Sequence, residues 1–131
     1  MGRILVDGSN VLFWRGGHAD GLGPALVLRA LRARRFSPVV YFDHSIGRHL
    51  GTGALDALAG LAQVVIAPRG TPADALLLRE CAHGRFQIVS NDRYRTWRVA
   101  HPGLRADWLV TGRVGKGGKV GFSRKLRKVP L

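Results

Sequence analysis

Four short apolar runs, each rich in β-branched residues and each ended by a polar or turn residue, constrain this chain most. They are Ile4-Leu5-Val6, Val39-Val40-Tyr41-Phe42, Val64-Val65-Ile66 and Ile88-Val89. Uninterrupted apolar runs of this length read as strands buried on both faces, the pattern of parallel sheets. Between them lie stretches with helical spacing: roughly 23–35, 52–61 around Leu55, Leu58 and Leu61, and 72–83 with Leu76, Leu77, Leu78 and Cys81. Strand and helix therefore alternate, and Trp108-Leu109-Val110 adds a fifth apolar run. The expectation is an α/β protein, a three-layer α/β/α sandwich with a mostly parallel central sheet of four to five strands. With 131 residues, 46% of them hydrophobic, the chain has material for one core. Residues 1–122 are expected to form that domain, with 123–131 a flexible basic tail.

Local signals refine this plan. Thr71 suits an N-cap, Pro72 a first helical position and Asp74 the first turn, so a helix should start there. Asp74, Leu78 and Cys81 then share one face, which turns Asp74 toward the sheet. A second short helix is expected from Asn91 or Asp92 to about Arg98. The Gly115-Lys116-Gly117-Gly118 run reads as a turn between two short strands.

Charge is distributed unevenly. The chain carries 21 Lys and Arg against 8 Asp and Glu, a net charge of +13, which favours a densely negative partner such as nucleic acid. From Trp108 onward there are seven cations and no acidic side chain. Cys81 is the single cysteine, so neither an intrachain disulfide nor a Cys-based zinc site is expected, and a reducing cytoplasm fits. The five histidines show no metal-ligand spacing. No stretch approaches a membrane span. A homodimer or a protein partner is compatible with this composition.

The acids are placed where chemistry is expected. Asp7 ends the first apolar run, Asp43 the second, Asp74 opens the helix after the third, and Asp92 follows the fourth. In a parallel sheet those positions line one crevice, and several carboxylates there would repel unless a divalent cation neutralised them. Oxygen ligands of this kind suit Mg²⁺ or Mn²⁺. Taken singly, Asp74 is an ordinary helix-capping acid, Asp92 an N-cap and Asp43 a turn residue. Asp7 is different, because a carboxylate closing an apolar strand is desolvated unless something pairs with it.

Three motifs in order, Val6-Asp7-Gly8-Ser9-Asn10-Val11, Thr71-Pro72-Ala73-Asp74 and Val89-Ser90-Asn91-Asp92-Arg93-Tyr94-Arg95, resemble those of the NYN branch of the PIN-like ribonucleases, particularly its Regnase-like members. The resemblance implies a metal-dependent endoribonuclease in which Asp7, Asp74 and Asp92 are carboxylate ligands and Asn10 an orienting or ligating amide, with Ser9, Ser90 and Asn91 in supporting places. Members of that group carry further acids where this chain has Ala73 and Thr96, so a single ion held partly through water is expected, with Asp43 making up part of the deficit. The RNA, single-stranded or stem-loop, would be gripped by Arg93, Arg95 and Arg98 and by the C-terminal cations Lys116, Lys119, Arg124, Lys125, Arg127 and Lys128. Trp14, Tyr94 or Trp97 would stack on bases, core packing being the plainer expectation for at least one of them.

Other strand-end aspartate proteins fit worse. A phosphatase of the haloacid-dehalogenase type needs a second acid where Ser9 stands and a lysine in the body of the fold, yet no lysine precedes Lys116. A receiver domain lacks the same lysine, and the turn after the first run is neither a phosphate-binding loop nor a dinucleotide fingerprint. The competing expectation of a different class is a non-catalytic RNA-binding module on a degenerate nuclease scaffold, which Ala73 and Thr96 favour.

Overall fold

The computed structural model describes residues 2–128. Its centre is a five-stranded parallel sheet in the order β3-β2-β1-β4-β5, with β1 at Gly2–Asp7, β2 at Phe36–Phe42, β3 at Gln63–Ile66, β4 at Ile88–Val89 and β5 at Leu109–Val110. The β1–β2 pairing is the longest, running in register from Gly2 opposite Phe36 to Asp7 opposite Tyr41. Helices α1 (Gly8–Val11), α2 (Leu22–Ala33), α3 (Thr52–Ala59), α4 (Ala73–Gly84) and α5 (Arg95–Ala100) connect or follow these strands. An antiparallel hairpin, β6 (Gly112–Val114) and β7 (Val120–Phe122), follows β5 and packs on α2.

The period-2 geometry of a strand sends alternate side chains to opposite faces, and the core divides accordingly. Ile4 and Val6 join Val27, Leu28, Leu31, Val40 and Phe42 under α2 and α3. Leu5 and Tyr41 join Leu77, Leu78, Cys81 and Ile88 under α4. Each fully buried aliphatic side chain contributes about 1.5–3 kcal/mol, and both faces of β1 are covered, which is why its run is apolar throughout. Asp7 has the parity of Leu5. It therefore faces the α4 layer, where Asp74 lies.

Three local expectations need correction. Helix α4 starts at Ala73, with Pro72 and not Thr71 at the cap, and the donor left open there is taken up by a distant carboxylate: Ala73 N donates to Asp43 Oδ1 at 2.9 Å. Helix α5 starts at Arg95 and not at Asn91 or Asp92, because Tyr94 adopts a left-handed conformation (φ 51°) that no helix can pass through. Residues 124–128 are docked on the body and are no flexible tail: Arg127 N donates to the Gln87 side chain at 2.8 Å, and Leu126 packs against the core. Residues 129–131 lie outside the described residues. Among those described, no helix is long and apolar enough to cross a membrane.

Candidate active site

The strand order reverses direction between β1 and β4, since the chain first runs outward through β2 and β3 and then returns to the other side of β1. Open α/β sheets bind ligands in the crevice that such a reversal opens beyond the carboxyl ends of the strands. Asp7 ends β1 there, and Ser90-Asn91-Asp92 follows β4.

Asp7 is only 4% exposed, and donors surround its carboxylate. Asn10 N donates to Oδ1 at 3.2 Å, while Oδ2 accepts from Ser90 Oγ at 2.9 Å and from Tyr94 Oη at 2.5 Å. Burial raises the Asp7 pKa above the ordinary carboxylate range, against the three donors, which lower it. Burial and the Asp7 charge push the Tyr94 hydroxyl strongly upward, so Tyr94 remains the donor of that bond. Tyr94 was expected either to stack on bases or to pack in the core. It is buried, so the core position holds, and its hydroxyl serves Asp7.

The positive φ of Tyr94 costs of order 1–3 kcal/mol for a residue with a side chain, and Asp92 helps to hold it, since Asp92 Oδ1 accepts from Tyr94 N at 2.8 Å. Asp92 N in turn donates to Ser90 Oγ at 3.0 Å. Asp92 thus shapes the Ser90–Tyr94 turn while its side chain stays exposed.

Asn10, expected as an orienting or ligating amide, has its side-chain oxygen engaged within the protein. Its Oδ1 accepts from Trp14 Nε1 at 2.7 Å and from Asn91 N at 2.8 Å, so the amide oxygen ties α1 to the turn after β4. Asn91 clasps β6, its side chain accepting from Gly112 N at 2.9 Å and donating to Gly112 O at 3.0 Å. Ser9 Oγ accepts from Asp43 N at 3.2 Å. These short polar residues fasten the crevice wall.

Asp74 sits half-buried in the first turn of α4. Its pKa is raised to about 6, first by burial and then by the charges of Asp7, Asp92 and Asp43, with a hydrogen bond from Trp97 opposing. The Asp74 carboxyl therefore feels the other three strand-edge acids. Among the described residues no three acid, histidine or cysteine side chains close tightly enough to form an all-protein cage. Mg²⁺ seldom uses such a cage; it keeps waters and takes one or two carboxylates. The donor chemistry fits an ion of that kind. Asp74 and Asp92 are the residues that could hold it, with the lone pairs left over on Asp7 and Asp43, each of which already accepts hydrogen bonds from the protein.

The cations expected to bind RNA separate into three groups. Arg93, Arg95 and Arg98 lie on or just before α5, beside the crevice, with Arg93 and Arg95 exposed and Thr96 exposed among them. Lys116 and Lys119 sit at the hairpin turn, where Gly118 packs against Leu26 of α2. Arg124, Lys125, Arg127 and Lys128 lie at the far edge of the sheet. Trp14 is engaged with Asn10, and Trp97 stacks on His101 with centroids 6.4 Å apart.

No protein-family model matches the chain, and no curated protein sequence does. A solved structure does: nuclear protein-only RNase P 2 of Arabidopsis thaliana superposes with a TM-score of 0.69 over 92% of this chain, at 16% identity. The chain shares the α/β fold of the part of that protein it superposes on. The chain spans 29% of the length of that neighbour. The shared fold covers the sheet and the crevice beyond its reversal.

Proposed function

We propose that the chain is a metal-dependent endoribonuclease that hydrolyses RNA phosphodiester bonds at the crevice between β1 and β4. The observation that carries this reading is the gathering of Asp7, Asp43 and Asp92 about the half-buried Asp74 at the carboxyl ends of the strands, where burial and then their charges push the Asp74 carboxyl up to about 6. Asp74 and Asp92 would hold one Mg²⁺ or Mn²⁺, which supplies polarisation of a non-bridging phosphate oxygen and activation of a water. Asp7, whose carboxylate form Tyr94, Ser90 and Asn10 N favour against the effect of burial, lies behind that position. Arg93, Arg95 and Arg98 bind phosphates on either side of the scissile bond. Attack of water on phosphorus with departure of the 3′ oxygen leaves a 5′-phosphate and a 3′-hydroxyl. The reading extends to residues 1–122 as one nuclease domain.

A second reading has its own support. The Asp7 carboxylate, engaged by three donors of the protein, with Ala73 and Thr96 in place of further acids, favours an RNA-binding module without catalysis. Labelled single-stranded and stem-loop RNA incubated with Mg²⁺ or Mn²⁺ separates the two. Cleavage is expected with either ion, and its loss is expected in EDTA and in Asp74→Asn. Cleavage that survives both controls, or tight binding without cleavage, overturns the nuclease reading.

A further inference from the structure

Residues 124–128 run along the edge of the sheet opposite the carboxylates. Lys128 packs on Gly2 at the start of β1, and its Nζ sits 5.8 Å from the centroid of Phe36 at the start of β2. The Gln87 side chain, just before β4, accepts from Arg127 N at 2.8 Å and donates to the Lys125 carbonyl at 3.4 Å. The sheet order β2-β1-β4 makes this segment a strap across the three central strands. Leu126 turns into the core, while Arg124, Lys125, Arg127 and Lys128 are exposed.

Between the strap and the end of α2 runs a groove of about 540 Å³ lined by Arg34, Phe36, Phe122, Arg124, Lys125 and Lys128, together with Leu126. No acidic side chain lines it among the described residues. The Arg34 guanidinium lies over the Phe122 ring, 5.2 Å from its centroid, as Lys128 lies over Phe36. A cation held against a ring face keeps its other donors free for phosphate oxygens. Four cations facing one another without an anion are relieved most by a regularly spaced polyanion. On the other side of the strap a larger groove contains Arg85, Arg105 and Arg127, but there Arg105 is paired with Asp107 at 3.0 Å.

We infer that the strap groove is a second RNA-backbone site, which holds a segment of the RNA away from the bond that is cut. The inference rests on RNA being the partner, as proposed above. The six residues of β1 separate the groove from Asp7 by roughly 17 Å at the usual rise per strand residue. An anionic membrane is the weaker match, because the large exposed hydrophobic residues Phe13, Leu22, Ile66 and Val99 all lie off the strap and leave it without an inserting anchor.

Binding of single-stranded RNA to the full chain, measured in EDTA over a salt series, tests this without reference to cleavage. For Arg124→Ser/Lys125→Ser/Lys128→Ser the slope of log affinity against log salt is expected to flatten by about 2, three phosphate contacts at about 0.7 each. Lys125→Ser alone, at an exposed position, is expected to flatten it by about 0.7 and guards against misfolding of the triple variant. The equal-charge control Arg29→Ser/Arg48→Ser/Arg69→Ser is expected to keep the wild-type slope. An unchanged slope in the strap variants, an equal loss in the control, an absence of wild-type binding, or tighter binding to phosphatidylserine vesicles than to RNA overturns the inference. Where the slopes behave as expected and no cleavage occurs with metal, the nuclease reading alone fails. Where cleavage occurs, the strap variants are expected to raise KM for a long RNA and leave kcat unchanged.

Discussion

Tyr94 concentrates the physics of the site in one residue. It takes up a left-handed backbone conformation, is 1% exposed, and gives its hydroxyl to the buried Asp7 carboxylate at 2.5 Å. Tyr94→Phe removes a hydrogen bond to a charged group, so a loss of about 1.5–3 kcal/mol is expected in urea denaturation at pH 7. The pH dependence has a definite sign. Burial holds the Asp7 pKa above its unfolded value, so the folded state keeps its proton to higher pH and stability falls as pH rises through that window. The Tyr94 bond opposes that rise, and removing it widens the window. The deficit of the variant in metal-free buffer should therefore be small near pH 4 and grow toward neutrality. A deficit independent of pH would mean that Tyr94 acts through packing alone. None of this was legible in the sequence, where Tyr94 stood as a base-stacking or core aromatic; only the fold carries Asp7, 87 residues away, to its hydroxyl.

Among the elements, the β1–α1 junction shows why its sequence takes the form Asp7-Gly8-Ser9-Asn10. A Cβ on Gly8 would lie 2.5 Å from the Phe42 ring and 2.7 Å from the Tyr41 carbonyl oxygen. The ring can move, but the backbone oxygen of β2 cannot without breaking strand register. Gly8→Ala is expected to cost about 1–3 kcal/mol in thermal or urea unfolding, and a neutral result would show that β2 yields there. The glycine is thus a packing requirement, which lets Asp7 and Ser9 sit where they do. Strands β1 to β4 and helices α2 and α4 were legible from apolar runs and helical spacing because those signals are local. The start of α5 and the cap of α4 were not, since one depends on the Tyr94 backbone and the other on Asp43, 30 residues before the helix it caps.

At the level of the whole molecule the charge is polarised, with carboxylates at the carboxyl ends of the strands and the strap cations at their amino ends. The strap also belongs to the fold. Removal of residues 123–131 strips Gln87, itself 3% exposed, of both its partners and uncovers the core beneath Leu126. A loss of about 2–4 kcal/mol in urea denaturation is expected, whereas a dispensable tail would leave the midpoint unchanged. By itself the sequence determined the alternation of strand and helix, the parallel sheet, the four edge acids and the excess of cations, because each is written in short-range periodicity or in composition. The tertiary structure alone decided what each acid touches and where the cations gather. Hydrogen-bond partners and neighbouring charges are set by residues 30 to 87 positions apart that only the closed sheet brings together. Asp7 accepts three hydrogen bonds, Asp43 caps a helix, Asp74 feels the charges of the other edge acids, and the basic end of the chain is bound across the opposite edge.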